Sequence, residues 1–287
     1  MLNKILQNLF RAGNGNDGDV TAKVDRIDST LFSDNAEGEC CLCGATEGLT
    51  GEHKVKASTI RSIFEPGLLY IGENPANPER RRPAQGPGSK AFHFRSKICV
   101  DCNSSRTQAP DIEFTRFDQA VQSLLAQGLD PSEIFARPRY SEESDELKNV
   151  FRYLAKILAC HIADVDGPRF LGITEFAIGR SDINPVRLRI DRDAAFDVWF
   201  KETGVHEFAH HGGLGFEASK STRIIQSFYT TLTHGPLRYT FGIEPFAVVT
   251  HTIEALYPKF YERILAAHDE QVRLAGTEPS IDYDGEK

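Results

Sequence analysis

The chain has 287 residues, enough for two domains or one large one, and its 40% apolar and 26% charged residues are ordinary globular proportions. That composition excludes a wholly disordered or collagen-like chain, and no apolar run reaches the roughly 18 residues a membrane span needs. The formal charge of −8 excludes a surface that is basic throughout, though not a local basic patch.

Met1 to Arg11 is amphipathic but lacks the apolar stretch and small-residue cleavage site of a signal peptide, which makes a cytoplasmic protein the expectation. Residues 1–38 read as a flexible lead-in, rich in Gly, Asn, Asp and Ser from position 12. From Cys40 to Asn103, short apolar runs are broken by Gly and by Pro66, Pro75, Pro78, Pro83 and Pro87, the texture of a small module that a metal staples. A helix then starts around Pro110, with Ile112, Phe117, Val121, Leu124 and Leu125 on one face, and ends at Gly128. A second is capped by Ser141 or Ser144 and carries Glu142, Glu143, Asp145 and Glu146 where the helix dipole favours acids. Its apolar stripe is Leu147, Phe151, Leu154, Ile157, Leu158 and Ile162.

Val186 to Ile190 alternates as a half-buried strand does, and Ser227 to Phe246 reads as a hairpin turning at His234, Gly235 and Pro236. Val248 to Ala275 reads as one or two helices interrupted at Pro258, followed by an acidic, fraying tail. The expected fold class is α+β: a lead-in (1–38), a metal-stapled module (39–127), an α+β domain of unassigned role (128–275) and the tail (276–287).

Five of the six cysteines fall in two tight clusters. In a reducing compartment the pairs Cys40-x-x-Cys43 and Cys99-x-x-Cys102 suit a closed tetrahedral zinc site better than two disulfides. Cys41 is the alternative to Cys40, but the two-residue spacing to Cys43 favours Cys40. Between the pairs stand Glu52 and His53, and Asn103 follows the last cysteine. A carboxylate can hold a hard divalent cation and an imidazole can deprotonate water, the two roles that phosphodiester hydrolysis asks for. Neighbours on an extended strand point to opposite sides, so Glu52 and His53 can share a site only at a strand end or bulge.

Together, Cys40-x-x-Cys43-Gly44, Leu49-Thr50-Gly51-Glu52-His53 and Cys99-x-x-Cys102-Asn103-x-x-Arg106 resemble the zinc-stapled HNH endonucleases of the His-Me finger group, over roughly residues 38–120. The resemblance implies a ββα-metal unit, two strands joined by a long loop and then a helix opening at the second cysteine pair. It implies His53 as general base, Glu52 as the acidic ligand of a catalytic Mg²⁺ or Mn²⁺, Asn103 as the helix residue completing that site, and structural zinc on the cysteines. The family's middle Asn falls near Phe94 here, a departure that leaves His93 or Arg95 to take over the orienting role.

Charge agrees with an anionic substrate. From Gly51 to Arg106, ten Lys and Arg face five acids, a local +5 that leaves −13 to the rest of the chain. Arg80, Arg81 and Arg82, with Lys54, Arg95 and Arg106, are the candidate phosphate contacts. The expected partner is DNA, with RNA the other candidate; no membrane is implied, and the C-terminal domain is left for a second copy or a partner protein.

Two further readings stand beside this one. The same cysteines could build a zinc ribbon that binds nucleic acid without cutting it. The segment His206-Glu207-Phe208-Ala209-His210 matches the helical zinc motif of metalloproteases. Its context is poor: Phe216 stands where a third ligand would fall, and Gly204, Gly212, Gly213 and Gly215 disfavour a helix.

Overall fold

A computed structural model describes residues 28–64, 69–71, 82–84, 86–219, 224–245 and 247–275. Most of the expected lead-in, Arg80, Arg81 and the acidic tail lie outside these described residues.

The described chain is of mixed α+β class. In order it forms β1 (Phe32–Ser33), β2 (Leu49–His53), α1 (Ala57–Ile63), β3 (Leu69–Ile71), β4 (Arg82–Ala84) and β5 (His93–Cys99). A single π-helical stretch, Asp101–Arg106, leads into α2 (Gln108–Ala126), and α3 (Asp145–Asp164) follows. Then come β6 (Arg169–Phe170), α4 (Leu171–Ala177), β7 (Arg187–Arg192), α5 (Ala194–Thr203), β8 (Ala209–His211), β9 (Gly215–Ala218), β10 (Ile225–His234) and β11 (Leu237–Ile243). Helices α6 (Ala247–Leu256) and α7 (Pro258–Ala275) close the described chain, and neither they nor the other described helices are long and apolar enough to cross a membrane.

Local signals explain the helix ends. Of the two candidate caps, Ser144 is the one used: its hydroxyl accepts the Leu147 amide at 3.1 Å and starts α3. Gly128, at φ +73°, follows the end of α2. Pro258 separates α6 from α7, and Gly235, at φ +56°, turns the β10–β11 hairpin. One expectation fails on α2. Ile112 is 46% exposed, and the inward face instead runs through Phe114, which stacks on Tyr153 of α3 at 4.1 Å between ring centroids.

The large sheet is antiparallel, in the order β7-β11-β10-β8, with β9 also pairing to β10. α3 is the centre of the molecule. Tyr153, Leu154, Ala155, Ile157, Leu158 and Cys160 are buried on it, as is the charged Lys156. Buried side chains on both sides of residue 127 form one continuous cluster around this helix, which thereby backs the two-stranded β2–β5 sheet.

Candidate functional site

The strands β2 and β5 carry a different cluster at each end. At one end Leu49 pairs with Cys99, and the four thiols of Cys40, Cys43, Cys99 and Cys102 gather with every sulfur within 4.8 Å of every other. Backbone geometry shapes the first knuckle. The Cys40 carbonyl accepts the Gly44 amide at 2.8 Å, the Cys40 amide donates to Ala45 at 2.7 Å, and Gly44 turns the chain at φ +80°. In the second knuckle the Cys102 amide donates to the Cys99 sulfur at 3.5 Å. Cys41 points away, its sulfur lying 3.7 Å from that of buried Cys160, so Cys40 is the member of the cluster.

Such crowding splits the thiols' acidities. A hydrogen bond from Cys102 holds the Cys40 thiol down to about 4, while the same bond and burial push Cys102 far up. Four sulfurs this close to one another are a donor set that a soft divalent cation would satisfy, so the cluster fits a metal such as zinc.

At the other end the ladder breaks. Gly51 pairs with Lys97 but His53 pairs with His93, so Glu52 alone stands opposite Phe94, Arg95 and Ser96. The side chain of Asp164, the last residue of α3, fills the gap by accepting the Arg95 amide at 2.6 Å and the Ser96 amide at 2.9 Å. The strand-end bulge that the Glu52–His53 pair requires is therefore present.

His53 lies with its ring centroid 3.9 Å from that of His93. His93 is itself held by the Ser89 carbonyl, 3.0 Å from its Nδ1, and covers Gly51 so closely that a Cβ there would sit 2.9 Å from its ring. The His53 Nε2 is buried and has no hydrogen-bond partner. Burial lowers the His53 pKa, followed by His93 and, more weakly, by Arg61 and Lys156. The imidazole is accordingly neutral at neutral pH, in surroundings of positive potential.

Glu52 does not face an open site. It is 6% exposed, and its Oε1 lies 3.0 Å from the ammonium of Lys156, whose other partner is Asp111 Oδ1 at 2.6 Å. Lys56 joins the same network, donating to the Asp111 carbonyl at 2.5 Å and to Thr115 Oγ1 at 2.8 Å. Burial pushes the Glu52 carboxyl up against the pull of Lys156. Burial would also neutralise Lys156, but Glu52 and then Asp111 outweigh it and hold the ammonium charged. Asn103 is engaged too, its amide donating to Thr50 Oγ1 at 3.0 Å. With the carboxylate neutralised and the amide bonded elsewhere, Glu52 and Asn103 do not fit a catalytic Mg²⁺ or Mn²⁺ as they stand.

The remaining candidates spread out. Phe94, at the middle position, is 2% exposed and packs edge-on against His161; His93 is thus the neighbour of His53 in its place. Lys54 pairs with Asp164 at 3.6 Å, the Arg95 guanidinium donates to the Asp164 carbonyl, and Arg106 pairs with Asp101 at 2.6 Å. Arg82 is exposed on β4. In the protease-like segment, α5 ends at left-handed Gly204, His206 and Glu207 are exposed outside any helix, and His210 lies on β8. The motif needs both histidines on one helical face, and that face is absent here. Among the described residues, the four cysteines are the one metal-competent cluster of three or more Cys, His, Asp or Glu. Lys156 and Asp111 escaped the sequence reading, although a lysine flanked by Tyr153, Leu154 and Ile157 on an apolar helix was a signal for the first.

No family model, curated protein or solved structure matches the chain.

Proposed function

We propose that the β2–β5 module hydrolyses phosphodiester bonds, with DNA as substrate and His53 as general base. The observation that supports this most is the unpartnered His53 Nε2. A buried polar atom without a partner costs about 1–3 kcal/mol, and here it belongs to an imidazole that burial keeps neutral at neutral pH. His53 would take the proton from a water as that water attacks phosphorus, the P–O bond to the leaving sugar oxygen breaks, and that oxygen takes a proton from solvent. Arg61 and Lys156 supply the positive potential in which the extra charge on the phosphoryl oxygens develops. His93 lies over the ring and must yield for water to reach Nε2.

Zinc on Cys40, Cys43, Cys99 and Cys102 would be structural, tying the first knuckle to the end of β5. Plasmid nicking by the full-length protein, wild type against His53→Ala, tests the reading. Nicking by the wild type alone supports it; equal nicking by both refutes it.

The closure of Glu52 by Lys156 favours a second reading, a zinc-stapled module that retains nucleic acid without cutting it. It predicts DNA retention in a gel shift, unchanged by His53→Ala and with no nicked product.

A further inference from the structure

Glu52, next to the candidate base in the chain, and Asp111 already share a cation. Lys156 Nζ lies 3.0 Å from Glu52 and 2.6 Å from Asp111, and its side chain is 1% exposed. The three groups come from three elements: Glu52 from β2, Asp111 from α2 and Lys156 from α3. Tyr153 adds its ring face, with the Lys156 ammonium 5.3 Å and the Lys56 ammonium 5.8 Å from its centroid. The buried Lys156 ammonium contacts both carboxylates and the half-buried Lys56 ammonium lies on the Asp111 carbonyl, so the two negative charges already face two positive ones. A magnesium or manganese ion binds through oxygen donors at about 2.1 Å, and the position between these carboxylates is the one Nζ fills.

We propose that Lys156 is a built-in cation that takes the divalent-ion seat at Glu52 and Asp111, so that the protein holds one metal ion, at its cysteines, and none beside His53. Lys156 is a positioning residue in this scheme: it fixes Glu52 in the bulge and sets the potential felt by His53, without touching substrate. The proposal refines the nuclease reading, but the occupancy of this seat is measurable whether or not DNA is cut.

The experiment uses the full-length protein dialysed free of loosely held metal. Zinc per chain is read by mass spectrometry, and Mn²⁺ binding by loss of the free-ion paramagnetic signal. The expected result is one zinc and no bound Mn²⁺ in the wild type, with one Mn²⁺ taken up by Lys156→Met at least about tenfold more tightly. Should Lys156→Met be unfolded without metal, folding on Mn²⁺ addition supports the proposal. Should it stay unfolded even then, the wild type decides against Glu52→Gln: no Mn²⁺ bound by either supports the proposal. Mn²⁺ bound by the wild type and lost in Glu52→Gln overturns it, as does a folded Lys156→Met that binds none. A null nicking result with His53→Ala would sink the nuclease reading and leave this occupancy result standing.

Discussion

The two ends of the β2–β5 ladder solve the same problem in opposite ways. Around Leu49 and Cys99, four sulfurs are gathered with no Lys or Arg side chain hydrogen-bonded to them among the described residues, and one thiol, Cys40, is held down to about 4. Around Glu52 and His53, two carboxylates are gathered and the chain supplies the cation itself, as Lys156. Clustered donors therefore do not by themselves make a metal site; what matters is whether a buried ammonium has already balanced them. The cysteine end fits a metal supplied from outside, whereas on our proposal the carboxylate end is already balanced by Lys156.

That contrast can be broken in order of effect. Removing metal from the cysteine end, by chelation or Cys102→Ser, should cost most, on the order of 10 kcal/mol if the ion is bound as in small structural zinc sites. Thermal unfolding with and without chelator reads this; an unchanged transition would mean the thiols hold no ion. At the other end, Lys156→Ala strands the buried Glu52 and the half-buried Asp111 and should destabilise by about 3–5 kcal/mol. Urea titration of the two proteins gives the number, and a loss under 1 kcal/mol, by the same scale, would mean that the ion pairs are incidental.

A third test concerns the wall behind the bulge. Burial, then His211 and Lys54, lowers His161 from its ordinary 6.5 to about 3. Its folded-state pKa is depressed, so the unfolded chain takes up the proton first. The stability it contributes is full above pH 6.5 and drains as pH falls toward 3, at up to about 1.4 kcal/mol per pH unit. Urea titrations across that window should be less pH-dependent in His161→Asn than in the wild type; parallel curves would refute the assignment. The smallest effect belongs to the Ser144 cap of α3. Ser144→Ala removes the hydroxyl that accepts the Leu147 amide and should cost about 1 kcal/mol, readable as a small shift in melting temperature.

How much of this was legible in the residues follows from the range of each interaction. Caps, turns and stripes act within a few residues, so the α2 and α3 helices, the Gly235 hairpin and the break at Pro258 could be read directly. The cysteine cluster was legible because two short spacings define it, and the need for a bulge at Glu52 because strand side chains alternate. What the residues hid was set by α3. A lysine on an apolar helix announces that it needs partners, but not that they are Glu52 on β2 and Asp111 on α2. Nor could local pattern show that Asp164 fills the broken ladder, or that His93 rather than Arg95 lies against His53. The protease-like segment misled for the converse reason: its spacing presumes a helix that Gly204 ends before the first histidine.

The central claim is that His53, with its free Nε2, is the base of a phosphodiester hydrolase, and plasmid nicking tests it most directly. Removing a general base costs about 10²–10⁴-fold in rate, so His53→Ala should nick at least a hundredfold more slowly than the wild type while melting at a similar temperature. Nicking by a folded His53→Ala protein at the wild-type rate would contradict the account.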